Sequence, residues 1–428
     1  MTQKGSGLGP LGDGSLAVVI GGGPGGVAAA MALKQGARAM GRDARVIIVE
    51  GKQFVGQQQY NQCVGVLSPP IVELIERELN VPFPHQLSRD VITGYVLHTA
   101  QREIILDGEA EPSIALRRVQ FDAYLLDAAR ERGIEVVCAR ATGLEFHADR
   151  VVIYTESVPL EADVTVGAFG LDEGTAVLFE RAVGYRPPPA LSSVVTKYHP
   201  GNEGMAGFGN RIHAFLPPWR RIEFGALTPK GNHIAINIAG EAVDADVMRR
   251  FLAAPYVQRT LPRLENARSF DANDLRFFKG RFPRGLARNF SGDRFVMVGD
   301  SAGLGRAFKG KGVTSAILTG IRAARVILHE GISARAFNAY HAANRDIIDD
   351  LPYGQVMRHL TILLAHTGLM DVIMRAAETD PGLRHALFDA VSAHRSFHDV
   401  MRAGLTFGGV RAVSAVMPDY LRHLMHKA

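Results

Sequence analysis

The sequence predicts an α/β fold in which a parallel-sheet domain is joined to a second, antiparallel-sheet domain and a helical C-terminal region. Three observations predict it. From Leu16 to Glu50 the chain reads as an apolar strand LAVVI, the turn GGGPGG, an Ala-rich helix, a second apolar strand RVIIV and then an acid. At 296–305 a buried-strand pattern runs into an acidic glycine loop, VMVGDSAGLG, ahead of a long helical stretch. Between these, from about 185 to 285, the character changes to alternating segments after Pro187, Pro188 and Pro189.

The first stretch is a Rossmann-like dinucleotide site. Gly21, Gly23 and Gly26, with Pro24 and Gly25 in the same turn, fill G-x-G-x-x-G. The first glycine permits the tight turn, the second lets backbone approach a pyrophosphate, and the third lets helix pack on strand. The helix that follows offers its N–H groups and positive dipole end to the phosphates. Glu50 lies about 20 residues past the glycines, where a carboxylate accepts hydrogen bonds from ribose hydroxyls.

Composition bounds the rest. With 428 residues, 47% of them hydrophobic, the chain has room for two or three domains and a core that can bury a cofactor. No apolar run reaches the roughly 18 to 20 residues of a spanning helix. The N-terminal 1–15 reads as a flexible leader without an export or import pattern. Two cysteines, Cys63 and Cys138, exclude a four-thiolate cluster and fit a reducing, cytoplasmic setting. The net charge of +5 is scattered, which gives nucleic-acid binding no support.

Along the chain, residues 71–80 read as a short helix, and VITGYVLHT and REIILD as an antiparallel hairpin. Phe121, Leu125 and Ala129 form one buried stripe of a helix from Val119, with Gly133 past its end. IEVVC and DVTVGAFG return as strands to the nucleotide-binding sheet. The segments SSVVTKY, RIHAFL, IEFGAL and HIAINIAG form the antiparallel sheet. The expected organisation is a leader at 1–15, a discontinuous nucleotide-binding domain at 16–70, 101–184 and 286–340, a substrate domain at 71–100 and 185–285, and a helical region at 341–428. In that last region Leu, Met and Ile recur at helical spacing with Arg, His and Lys between them. Packing on the protein body and peripheral contact with a membrane surface are both open to it.

The second fingerprint turns the dinucleotide reading towards FAD. Asp300, directly after a buried strand, is placed to hold a ribityl hydroxyl while the next helix N-terminus faces the flavin and the pyrophosphate. The order VVIGGGPGG, Glu50, CVGVLSP, RxxFD at Arg118–Asp122, VGAFG and GDSAGLGRAFKGKGVTSAILTG resembles the geranylgeranyl reductase family, within the flavoproteins of the p-hydroxybenzoate hydroxylase fold. The likeness runs from about 16 to 330, and the tail DPGLRHALFDAVSAHRSFHDVM resembles that family's C-terminal region. It implies FAD in an extended form and, often, reduction of isolated alkenes in prenyl chains. It further implies Arg118 near the pyrophosphate, and Asp300 and Gly303 along the flavin. Gly310, Gly312 and Val313 would let backbone approach the ring, with Lys309 and Lys311 placing positive charge beside it. Cys63 falls where the family has a Cys-Gly motif near flavin and substrate.

The family's substrate-domain strand carries two large aromatics that are absent here, where the chain reads Phe224, Gly225, Ala226, Leu227, Thr228. A reshaped pocket is expected, with Phe224, Ala226, Thr228 and His213 as substrate-binding residues. Phe169 stands where this fold class often has Asp, which leaves the electron donor open between NAD(P)H and another reductant. The expected chemistry is hydride transfer from FAD to a carbon–carbon double bond of a hydrophobic small molecule. The proton comes from Cys63, Tyr60 or a histidine such as His213 or His233. A same-fold monooxygenase and a non-enzymatic prenyl carrier are the alternatives. The halogenases of this fold carry a double-Trp motif, whereas Trp219 is the single Trp. No metal site is expected.

Overall fold

Five consecutive apolar residues need cover on both faces, and Leu16–Ile20 finds it inside a six-stranded sheet. In the computed structural model, which describes residues 7–52, 63–108, 111–263, 271–305, 312–392, 395–404, 411 and 413–418, this strand pairs in parallel with Arg45–Val49 and with Val164–Gly167. Glu135–Val137 extends the first side and Phe295–Met297 the second, both in parallel. Ser291–Gly292 closes the edge antiparallel. The register sets Ile20 beside Gly167, and Gly167 beside Met297. The loops that leave these three strands therefore start side by side at the carboxyl edge, where open α/β sheets bind ligands.

Two helices cover one face of this sheet at backbone contact. Pro24–Ala39 packs along Gly312–His329 through Gly25, Ala29, Ala316 and Gly320. A Cβ on Gly320 would lie 2.3 Å from the Gly25 carbonyl oxygen and 3.0 Å from the Ala29 nitrogen. The helix Arg118–Glu131 buries Phe121, Leu125 and Ala129 completely, as its spacing predicts.

The second domain is a seven-stranded sheet in the order Phe278–Pro283, Ala190–Tyr198, Ile234–Gly240, Phe224–Pro229, Arg211–Phe215, Gly94–His98, Glu103–Asp107. All neighbours are antiparallel except Arg211–Phe215 and Gly94–His98, which run parallel. The four segments expected to form an antiparallel sheet do so, and the parallel pair joins them to the hairpin Gly94–His98 and Glu103–Asp107. The two parallel strands come from distant chain segments, so no hairpin turn dictates their direction. The hairpin's second strand, Glu103–Asp107, forms the edge of this sheet. Ala245–Ala253 buries Met248, Phe251 and Leu252 against one face. The other face looks onto the cavity described below.

A three-stranded sheet of Val66–Leu67, Ser113–Leu116 and Ser88–Ile92 lies beside the cavity. An antiparallel meander of Ala141–Phe146, Val151–Thr155 and Leu160–Ala162 follows Glu135–Val137. The C-terminal region is helical: Leu351–Thr367, Leu369–Ala377, Pro381–Ser392 and Phe397–Gly404 close over the far end of the seven-stranded sheet.

Replacing Gly320 with Ala forces the two backbones apart. The Gly320→Ala variant is expected to lose about 1–3 kcal/mol of stability, measured by urea unfolding. An unchanged midpoint would mean the helices have slack that this packing does not show.

Candidate functional site

The carboxyl edge of the six-stranded sheet opens into a cavity of about 1310 Å³ that runs on between the two domains. Its first end is built from the glycine turn. Gly21 adopts φ +111°, and a Cβ there would sit 2.4 Å from the Ala168 carbonyl oxygen. Gly26 packs beneath it, against the Gly21 carbonyl. At Gly23 a Cβ would meet nothing within 4 Å, because this residue faces open cavity. Gly23, Pro24 and Gly25 line the wall, and no side chain caps the helix they begin. Gly312 and Val313, at the start of Gly312–His329, line the same cavity. Neither helix carries an acid in its first turn, so two positive dipole ends face one space.

Two carboxylates share this end. Glu50 is buried, with Oε2 accepting from the Gly22 N–H at 2.8 Å and Oε1 from the Lys52 N–H at 2.7 Å. Each oxygen keeps lone-pair capacity for a hydroxyl donor. Asp300 is set by its turn: Gly299 N–H donates to Thr319 Oγ1 at 3.0 Å, and the Ser301 hydroxyl reaches the Gly167 and Val298 carbonyls at 2.7 Å. Among the described residues no hydrogen bond reaches the Asp300 carboxylate. Burial pushes its pKa above the usual carboxylate range, and Arg118 pulls against that shift.

Arg118 lines the cavity with Asp122. Its Nε and Nη2 donate to Asp122 Oδ1 at 3.1 and 3.0 Å, and Nη2 also reaches Oδ2 at 3.3 Å. Burial opposes the guanidinium charge, but Asp122, Cys63 and Asp300 outweigh it and raise the pKa. A glycine backbone, two helix N-termini, the Arg118 cation and two acceptor carboxylates together suit FAD. The glycine turn and helix ends match the pyrophosphate, Glu50 a ribose, and Asp300 a ribityl hydroxyl.

Cys63 is on the same wall, its Sγ accepting from the Gly65 N–H at 3.4 Å. Behind it lies a residue that the sequence reading missed. Lys230 is buried and donates from Nζ to the Val64 carbonyl at 2.6 Å. Burial pushes its pKa down to about 8, with Cys63 opposing the shift and Lys197, Arg117 and Arg118 adding to it. No local pattern marks such a lysine, since its burial comes from a contact between distant segments.

The other end of the cavity is apolar. Phe224, Ala226 and Thr228 line it from the sheet, with Met357, Leu360, Leu364, Met370 and Leu387 from the C-terminal helices. Arg358 and Glu223, both buried, pair through two hydrogen bonds and pin Leu351–Thr367 over this chamber. Tyr60, Lys309, Gly310 and Lys311 lie outside the described residues.

Three of the expected residues lie off the cavity wall. Gly303 does not line the cavity: at φ +69° it packs against the backbone of Gly285 and Leu286, where a Cβ would lie 2.0 Å from a carbonyl oxygen. His213 points away as well, since strand alternation gives Ile212 and Ala214 to the wall. Its Nδ1 lies 2.9 Å from His98 Nε2. Burial, then the partner His213, pushes His98 down to about 3; burial, then Arg211, pushes His213 down to about 4. His233 is also off the wall and is pushed down to about 3 by burial and then Lys230.

No protein-family profile matches the sequence, and no curated protein does either. Solved structures match over nearly the whole chain. A geranylgeranyl bacteriochlorophyll reductase-like protein from Thermoplasma acidophilum superimposes with a TM-score of 0.71 at 17% identity, over 94% of this chain and 99% of that one. A flavoprotein/dehydrogenase from Cytophaga hutchinsonii gives 0.67 at 18% identity, over 94% and 99%. The p-nitrophenol 4-monooxygenase of Pseudomonas putida gives 0.57 at 15%, again over 94% and 99%. The chain thus has the fold of the FAD-dependent oxidoreductases. Within that fold it is similar both to a reductase-like protein and to a monooxygenase.

Histidines held neutral by burial make stability depend on pH. The unfolded chain binds protons below about 6.5 that folded His98, His213 and His233 refuse until pH about 4 or 3. Stability is therefore full above the unfolded value and is lost as pH falls through that window. Urea midpoints at pH 7 and 5 should show the loss, and His98→Phe should flatten it. An identical slope in the variant would remove His98 as a contributor.

Proposed function

We propose that the chain is an FAD-dependent oxidoreductase that reduces a carbon–carbon double bond of an isoprenoid or another hydrophobic substrate. The observation that carries this reading is one cavity with two chemistries: a polar end with helix N-termini, Glu50 and Asp300, and an apolar end lined by sheet and C-terminal helices. The likeness to a reductase-like protein supports it.

The glycine turn, Glu50, Arg118 and Asp300 would hold FAD, which in its two-electron-reduced form would supply a hydride for one alkene carbon. Cys63 holds a proton on Sγ for the other carbon, and solvent restores that proton after turnover. Hydride and proton together add one hydrogen to each carbon, and NAD(P)H or another two-electron donor returns the electrons. An isolated alkene accepts hydride poorly, so the protein must orient it and keep water away. Phe224, Ala226, Leu364 and Leu387 exclude water, and the Arg358–Glu223 pair holds their lid in place. Lys230 fixes the turn that presents Cys63.

The likeness to p-nitrophenol 4-monooxygenase favours a second reading, in which oxygen enters the product. An anaerobic assay with a reduced electron donor and a prenyl substrate separates the two. Saturated product without oxygen supports reduction; product formed only with oxygen uptake supports the monooxygenase. A colourless protein that takes up no added FAD would point to the carrier. Replacing Asp300 with Ala should weaken FAD binding by about tenfold or more, read by flavin fluorescence titration. Cys63→Ala should leave that binding in place and lower turnover by about a hundredfold; full activity in this variant would assign the proton to another group.

A further inference from the structure

The helix Leu351–Thr367 is apolar on two sides. Inward, Met357, Leu360, Thr361 and Leu364 line the cavity. Outward, Tyr353, Val356, Leu360 and Leu363 are exposed, Val356 to 52% and Leu363 to 57%. Their spacing of three, four and three residues puts them on one stripe, and the helix contains no Asp or Glu. Leu360 belongs to both sides, so apolar surface continues from the outside of the protein into the chamber.

A basic edge runs beside the stripe. Arg395, His398 and Arg402 are exposed at helical spacing on and just before Phe397–Gly404. Arg395 also pairs with Asp389 at 3.6 Å, and Asp399 on the same helix is held by Ser396 and His398. The two helices are fixed to one another. Asp350 accepts from the Phe397 and His398 N–H groups at 3.0 Å, and the Tyr353 and His398 rings meet at 4.9 Å. Among the described residues no single helix is long and apolar enough to cross a membrane. The stretch Arg345–Thr367 with Leu369–Ala377 has a membrane-like composition, but it bends by 101°. Such a bend is incompatible with a straight span and leaves the first helix free to lie flat, apolar stripe down and basic edge at headgroup level.

We propose that this face rests on a lipid bilayer bearing anionic headgroups, with Leu351–Thr367 in the interface plane and the chamber opening beside it. The chain's net charge of +5 suits that surface. The inference rests on the lipophilic substrate proposed above and adds the route by which such a substrate enters from the bilayer.

Vesicle flotation of the full-length, FAD-loaded protein tests it without turnover, so its failure is distinct from a failure of the proposed reaction. The protein should float with vesicles of phosphatidylcholine and phosphatidylglycerol, and less with phosphatidylcholine alone or at high salt. Val356→Ser with Leu363→Ser should cut partitioning about tenfold, while Arg402→Gln should reduce only the part that needs phosphatidylglycerol. Retained flavin absorbance confirms that these surface variants are folded. Wild-type protein that stays unbound, or a double variant that floats unchanged, overturns the proposal. So does a dimer that the double variant dissociates without altering flotation, since the stripe is then a seam between two copies.

Discussion

Backbone contact between two helices from distant parts of the chain is the constraint on which the rest depends. Pro24–Ala39 and Gly312–His329 meet through Gly25 and Gly320 with no room for a methyl group, and that contact sets their N-termini at one edge of the sheet. The register of Ile20, Gly167 and Met297 does the same for the loops before them. Sheet pairing and helix packing thus converge on one point. Two positive dipole ends facing a common space make a site that an anionic, phosphate-bearing group stabilises.

A second compartment adjoins that polar end, and the seven-stranded sheet forms its wall. One face of the sheet is filled by Ala245–Ala253, while the other is left for the cavity. The C-terminal helices then roof the cavity. They are held by a buried ion pair, Arg358 with Glu223, whose desolvation cost is offset only while both partners stay in place. The same helix that carries Arg358 carries the exposed apolar stripe, so closure of the chamber and presentation of an outer surface are properties of one element.

Local chemistry made much of this legible in the sequence. The glycine turn, Glu50, the stripe of Phe121, Leu125 and Ala129, and the acid after the strand Phe295–Met297 are each encoded within a few residues of themselves. What stayed hidden depends on partners far along the chain. The parallel pairing of Gly94–His98 with Arg211–Phe215 has no turn to announce it. Gly303 carries the motif's spacing, yet its φ and its neighbours at 285–286 make it a packing residue. His213 lies in the expected strand, but alternation turns it to the opposite face, onto His98. Lys230 was unreadable because nothing in its own neighbourhood says that Val64 will cover it. The fold was therefore clearer than the site, and the polar end of the site clearer than the apolar end.

One extended dinucleotide is expected to span from Glu50 and the glycine turn to Asp300. Calorimetric titration of flavin-free protein with FAD and with FMN tests it most directly, because FMN lacks the adenosine half that Glu50 is placed to hold. One FAD should bind per chain, with FMN bound about a hundredfold more weakly. Equal affinity for the two, or no binding of FAD, would contradict it.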